Sequence, residues 1–248
     1  KKSDGIVVRG CKTHITISPQ ADEVLVIPTR ALQPDEKSWA VAFAIPGDWE
    51  GVKMVVRATS IRPRKNFKKG FEQGTTDAMI IFEDALIPWE RVFLCGETLA
   101  GSILAMLFAL YHRHSYSGCK PALSELMMGT VALAAEYNGV QNETHIRDKL
   151  AEMIMVTELA YAAGFTASEL GGSKVFMPGV GVVPFGPGTY IPDSIYCNVG
   201  RCLTGEAFYH EMETLADVSG GVPATLPHEE DWLNPEINSL LEKYITRN

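Results

Sequence analysis

The chain changes its hydrophobic period once, near residue 95, and that change constrains the fold more than any single motif. Up to that point short β-rich runs, "GIVVRG", "HITIS", "EVLVIPT", "WAVAFAIP", "GVKMVVRAT" and "DAMIIFEDALIP", alternate with Pro, Gly and Asp turns. Branched and aromatic residues in short runs between turn formers predict an antiparallel sheet or small barrel. From about Leu99 the apolar residues fall at helical spacing in long segments, "LSELMMGTVALAAEYNGV" and "HIRDKLAEMIMVTELAYAAGFTASELG", each ending near Gly. These predict the helices of a bundle. Between them and the last helices, residues 171–193 are too rich in Gly and Pro for a helix and too apolar for a flexible linker. An ordered, irregular loop is expected there. The expected fold class is α+β, with an antiparallel β domain over residues 1–98 and an antiparallel helical bundle over 99–248.

Composition supports this and excludes several functions. With 248 residues, 46% hydrophobic and 21% charged, the chain can bury a sizeable core in one or two domains. The net charge of −8 argues against nucleic acid as a partner, which would favour a basic footprint. The longest uninterrupted apolar run, Ile103 to Leu110, is too short to span a bilayer, so no membrane partner is expected. Cys11, Cys95, Cys119, Cys197 and Cys202 are an odd and scattered set. A disulfide framework is not expected, and a reducing cytoplasm fits. The opening "KKSDGIVVRG" reads as a strand already under way, and the closing "NSLLEKYITRN" stops inside an apparent amphipathic helix. Both suggest a piece or subunit of something larger.

The densest chemistry lies in "YHRHSYSGCK", residues 111–120, directly after the apolar "GSILAMLFAL". If the helix begun near Gly101 continues, His112, Tyr116 and Cys119 stand at i, i+4 and i+7 on one face. An imidazole and a thiolate converging beside a phenol and Lys120 can ligate zinc or iron. Equally, a buried Cys can act as a small hydrophobe and a core His can simply be hydrogen-bonded. Two ligands do not close a four-coordinate site, and no CxxC or HExxH completes one. Pro121 raises the question whether the helix ends or kinks there.

This motif, with "GTTDAMIIFEDALIPWERVFLCGE" before it, "ALAAEYNGVQNETHIRDKLAEMI" after it and "ADVSGGVPATLPHEEDW" later, resembles the 4-hydroxybutyryl-CoA dehydratase branch of the 4-hydroxyphenylacetate 3-hydroxylase flavoproteins. The resemblance spans nearly the whole chain. It implies an acyl-CoA dehydrogenase-like architecture in which these residues form the middle β domain and part of the C-terminal bundle, with FAD bound in a homotetramer. It further implies that His112 and Cys119 ligate a [4Fe-4S] cluster, that Tyr116 and Lys120 line the active site, and that Asp77 stands where a catalytic Glu is expected. The other two cluster ligands, a Cys-x-x-x-Cys pair, do not occur here. A chain supplying the N-terminal domain would have to bring them. The implied reaction converts 4-hydroxybutyryl-CoA to crotonyl-CoA with vinylacetyl-CoA isomerase activity. The alternatives are a flavin-dependent aromatic hydroxylase and a non-catalytic subunit of the same fold.

For the flavin, the resemblance points to "KTHITIS", with Thr16 and the neighbouring His14, and to "ADVSGG", with Asp217, Ser219, Gly220 and Gly221. The glycines would let backbone N–H groups approach phosphate. An ordinary strand and an ordinary helix end account for the same residues. The run "RPRKNFKK", Arg62 to Lys69, places five cations in eight residues and can hold CoA phosphates or simply be a solvated hairpin loop.

Overall fold

The computed structural model describes residues 1–57, 76–177 and 181–245. The basic run at 62–69 lies outside the described residues. The chain divides into two compact units, Lys1–Leu107 and Phe108–Asn248. The division falls inside the first long helix rather than at the change of pattern.

Among the described residues the first unit holds six strands: β1 (Gly5–Thr16), β2 (Glu23–Val26), β3 (Val41–Pro46), β4 (Val52–Val56), β5 (Asp77–Pro88) and β6 (Val92–Cys95). They form two antiparallel three-stranded sheets, β1-β5-β4 and β2-β3-β6. One core takes Ile6, Ile80 and Phe82 from the first sheet and Val26, Phe43 and Ile45 from the second. Phe43 and Phe82 meet edge to face with centroids 5.8 Å apart, the preferred geometry for aromatic pairs.

Two compensating bulges shape β1 and β5. The register passes from Val8↔Ala85 to Gly10↔Phe82, which leaves one extra residue on β5, and then from Lys12↔Ile80 to Ile15↔Ala78, which leaves one extra on β1. Each bulge contains a non-glycine residue in the left-handed region, Asp84 at φ 55° and His14 at φ 59°. The first shifts the inward phase of β5, so that Ala78, Ile80 and Phe82 are followed inward by Ala85 and Ile87. Arg9 pairs with Asp84 across it, its Nη2 donating to Oδ2 at 2.9 Å.

The second unit holds the bundle: most of α1 (Thr98–Tyr137), then α2 (Thr144–Glu169) and α3 (Ser194–Val218). Pro121 lies inside α1, which neither ends nor restarts there although the proline ring removes one ladder donor. The buried residues of α2, Ile146, Met153, Thr157, Ala160, Gly164 and Ala167, recur at helical spacing, and the helix packs closely on α3. Ser117, Gly164 and Gly200 mark where the three helices meet. A Cβ at Gly200 would stand 2.7 Å from Ser117 Oγ, and one at Gly164 would collide with Ser117 Cβ. Asp193 caps α3, accepting from the N–H groups of Ile195 and Tyr196 at 3.0 and 3.1 Å.

Two expectations need correction. The segment 171–193 is not wholly irregular: β7 (Lys174–Met177) and β8 (Gly181–Pro184) pair antiparallel within it. And α2 is long and apolar enough, by length and composition alone, to cross a membrane, contrary to the expectation that no segment is; 33% of its most apolar window is buried in the fold. All five cysteines are free. Three short helices close the described chain: α4 (Val222–Thr225), α5 (Glu229–Leu233) and α6 (Asn238–Tyr244).

Candidate functional site

Because α1 is continuous, His112, Tyr116, Cys119 and Lys120 occupy successive turns of one helix. The His112 ring stacks on Phe108, centroids 5.7 Å apart at 20°, and tilts against Tyr116 at 5.0 Å. His112 and Cys119 are exposed, so neither is the buried core residue that the sequence also allowed. Cys119 Sγ makes only a weak contact, 3.9 Å from the Tyr116 carbonyl oxygen. Its neighbour in the motif, His114, is engaged elsewhere: Nε2 lies 3.2 Å from the Gly164 carbonyl and 3.0 Å from Ser168 Oγ, a link between α1 and α2.

Two cations flank the Tyr116 ring. Arg201 of α3 places Cζ 4.6 Å from the ring centroid, and Lys120 Nζ lies 5.5 Å from it. Lys120 Nζ is closer still to Phe208, at 4.3 Å. One rung further on, Ser124 Oγ lies 2.9 and 2.8 Å from the two carboxylate oxygens of buried Glu211. Burial pushes the Glu211 carboxyl above its usual range, opposed by the Ser124 hydrogen bond and then by the charge of Lys120. Arg201, Ser124 and Glu211 were not identifiable from sequence, because what brings them to Tyr116 and Lys120 is the register of α3 against α1. Cys197, on α3, is fully buried and its thiol is pushed up to about 11 by burial, with Asp193 adding to the effect; it is no nucleophile or ligand candidate.

In the first unit, Thr16 and Asp77 are cross-strand partners at the end of β1 and β5. Both Thr16 and the bulge residue His14 are exposed, and His14 has a backbone conformation that costs roughly 1–2 kcal/mol for an L residue. Asp77 Oδ2 lies 3.0 Å from Arg57 Nη2 and its side chain is 28% exposed.

The segment 217–221 behaves as a helix end. Asp217 pairs with Lys149 Nζ at 2.9 Å, and the Ser219 hydroxyl donates to the Leu215 carbonyl at 2.6 Å. Gly220 and Gly221, at φ 66° and 76°, donate their N–H groups to the carbonyls of Asp217 and Ala216, both at 2.9 Å. Those donors close α3 in this chain, the ordinary helix end that the sequence also allowed.

Among the described residues no group of three or more His, Cys, Asp or Glu side chains could hold a metal ion. His112 and Cys119 supply half of the four donors that a [4Fe-4S] cluster takes. Seven residues apart on one helix, their Cα atoms rise about 10 Å along the axis.

Comparison with known proteins identifies the lineage. The sequence profile of the 4-hydroxyphenylacetate 3-hydroxylase N-terminal domain matches residues 1–94, and that of its C-terminal domain matches residues 102–248. The chain belongs to the 4-hydroxyphenylacetate 3-hydroxylase family. Within that family it is 35% identical over 238 residues to the 4-hydroxybutyryl-CoA dehydratase/vinylacetyl-CoA-Δ-isomerase of Clostridium aminobutyricum, covering 94% of this chain and 46% of the relative. It is 31% identical over 245 residues to the 4-hydroxyphenylacetate 3-monooxygenase oxygenase component of Thermus thermophilus, covering 97% and 48%. The chain thus spans about half the length of the curated relatives it matches. Among solved structures, an oxygen-tolerant archaeal 4-hydroxybutyryl-CoA dehydratase from N. maritimus superimposes with TM-score 0.82 at 31% identity, over 99% of this chain and 48% of that one. The oxygenase component of 4-hydroxyphenylacetate 3-monooxygenase complexed with FAD follows at 0.77 and 28%, over 99% and 49%. Glutaryl-coenzyme A dehydrogenase, at 0.60 and 14% over 88% and 49%, shares the fold alone. The acyl-CoA dehydrogenase-like α+β class expected from the sequence is the one observed.

Proposed function

We propose that this chain is the middle β domain and part of the C-terminal bundle of an FAD- and [4Fe-4S]-dependent enzyme that dehydrates 4-hydroxybutyryl-CoA to crotonyl-CoA and isomerises vinylacetyl-CoA. The observation that carries this is the exposed face of α1, where His112, Tyr116, Cys119 and Lys120 follow one another on an unbroken helix despite Pro121. His112 and Cys119 would hold one side of the cluster, Thr16 and His14 would meet the flavin, and the acyl-CoA would lie against Tyr116 and Lys120. The remaining two ligands would come from outside this chain, in the same polypeptide or another, within a homotetramer in the cytoplasm.

In the overall reaction carbons 2 and 3 each lose a proton, hydroxide leaves carbon 4, and carbon 4 regains one proton, so that water is the net loss. The carbon 3 hydrogen is unactivated and beyond the reach of a side-chain base acting alone. When bound, the flavin supplies one-electron chemistry and the cluster a Lewis acid. His112 would serve in two roles in turn, as a ligand holding the cluster and, when that ring nitrogen is free, as the base that takes the carbon 3 proton. The Tyr116 phenol donates a hydrogen bond to substrate oxygen, made a stronger donor by the cations over its ring, and Lys120 stabilises developing negative charge. Asp77, anchored to Arg57, stands where the resemblance expects a catalytic carboxylate.

A second reading, a flavin-dependent aromatic hydroxylase, rests on the 31% identity to the Thermus oxygenase component and gives iron no task. Anaerobic iron and sulfide analysis of the complete protein separates the two. Cys119→Ala is expected to lose cluster iron and dehydration together while keeping FAD. Equal iron in both proteins, or none in the wild type, removes the dehydratase reading.

A further inference from the structure

The buried carboxylate of Glu211 has no part in the chemistry above, yet it is held with care. Only 3% of the residue is exposed, and among the described residues its hydrogen-bond partner is the hydroxyl of Ser124, which is also buried. A hydroxyl has one proton to give, so it cannot serve both carboxylate oxygens at once. A buried carboxyl with a single neutral donor either keeps its proton or is offset by a nearby positive charge.

The register of α1 against α3 sets one cation beside this pair. Ser124 follows Lys120 by four residues on α1, and Glu211 follows Phe208 by three on α3, so each pair shares a helix face. Lys120 Nζ sits 4.3 Å over Phe208, and Ser124 bonds Glu211; the two contacts are adjacent rungs of one seam. The charge of Lys120 acts on the Glu211 carboxyl, opposing the effect of its burial. From its own side, Lys120 rests on the faces of Phe208 and Tyr116, and ring faces attract a cation without fixing its direction.

We propose that Glu211 is a positioning residue: its carboxylate, oriented by Ser124, draws the Lys120 ammonium into one place over Phe208 and beside Tyr116, where it can act on the acyl-CoA. The role of Lys120 toward substrate rests on the dehydratase reading; the coupling of Glu211 to Lys120 does not. A purely structural Ser–Glu pair that fills the seam is the competing account.

The test separates the two readings by using one readout that needs no turnover. The protein is reductively methylated with 13C-formaldehyde, which keeps lysine cationic, and the Lys120 signal is assigned by its absence in Lys120→Arg. In the wild type that signal is expected to be displaced by ring currents from Phe208 and Tyr116. Glu211→Gln should move it toward the position of exposed lysines, and Ser124→Ala, which keeps the charge but frees the carboxylate, should move it part of the way. In turnover, Glu211→Gln should lower kcat about tenfold with KM little changed, and Glu211→Asp should recover part of the loss. A Lys120 signal that stays in place in a folded Glu211→Gln protein overturns the proposal, as does a variant whose only change is its melting temperature. Should Glu211→Gln fail to fold, an unmoved signal in Ser124→Ala overturns it equally. A wild type that turns over no 4-hydroxybutyryl-CoA but shows the lysine shifts retires the dehydratase reading and keeps the coupling.

Discussion

His14 shows how a single residue can carry both a cost and a hint. It is the exposed non-glycine residue at the β1 bulge, held at φ 59°, two positions before Thr16. Strain of this kind persists where the surrounding structure over-determines it, and it clusters at ligand sites. His is among the residues that tolerate the left-handed region, whereas a β-branched side chain does not. His14→Val should therefore destabilise the fold by about 1–2 kcal/mol in urea denaturation, while His14→Gly should leave it nearly unchanged. If the segment meets the flavin, His14→Gly should nevertheless weaken FAD binding in a fluorescence titration. A glycine variant with unaltered stability and unaltered FAD affinity would reduce His14 to a bulge residue and nothing more. Period-two reading could place His14 and Thr16 on a strand. It could not show the bulge, which depends on what β5 presents opposite.

At the scale of elements, the long helices were legible because their apolar positions repeat at 3.6 residues over several turns, and the face of His112, Tyr116 and Cys119 followed from that period alone. Pro121 was the doubtful point, since local rules discourage a helix before proline and cannot weigh that against the packing on either side. The strands β7 and β8 were missed because each has only four residues, and glycine and proline around them mask any alternation. Least legible were contacts between helices, of which the meeting of Ser117, Gly164 and Gly200 is the sharpest. The Ser117 hydroxyl is buried and has no hydrogen-bond partner among the described residues. Ser117→Ala should raise stability by about 1 kcal/mol, because it removes an unpaired polar group with little change of volume. Gly200→Ala should cost about 1–3 kcal/mol, because its new methyl would stand 2.7 Å from the Ser117 oxygen. Combined, the two changes should cost less than their sum, since the alanine at 117 withdraws the atom that collides. Thermal denaturation of the four proteins measures all three terms, and strict additivity would show that the helices do not meet at this point.

For the molecule as a whole, the apolar surface is the feature that composition could not locate. Ile154, Met155, Leu159, Tyr161 and Phe165 are all more than half exposed along α2, and Tyr209 and Met212 are so on α3. A helix that buries one stripe and leaves this much apolar area outward is not a finished surface, and patches of this kind mark sites where protein meets protein. The relatives are about twice as long as this chain, so the covering can come from further segments of the same polypeptide or from other subunits. Subunit contacts predict a definite result. In sedimentation the complete protein should run as an oligomer, with a tetramer the expected state, and charged substitutions at Tyr161 and Phe165 should shift it toward smaller species without unfolding it. Bound FAD should be lost as the assembly dissociates if the cofactor is held at subunit contacts, so flavin content across the sedimentation boundary is the companion measurement. A monomer that retains full flavin would assign the apolar face of α2 to intramolecular packing and detach cofactor binding from oligomerisation.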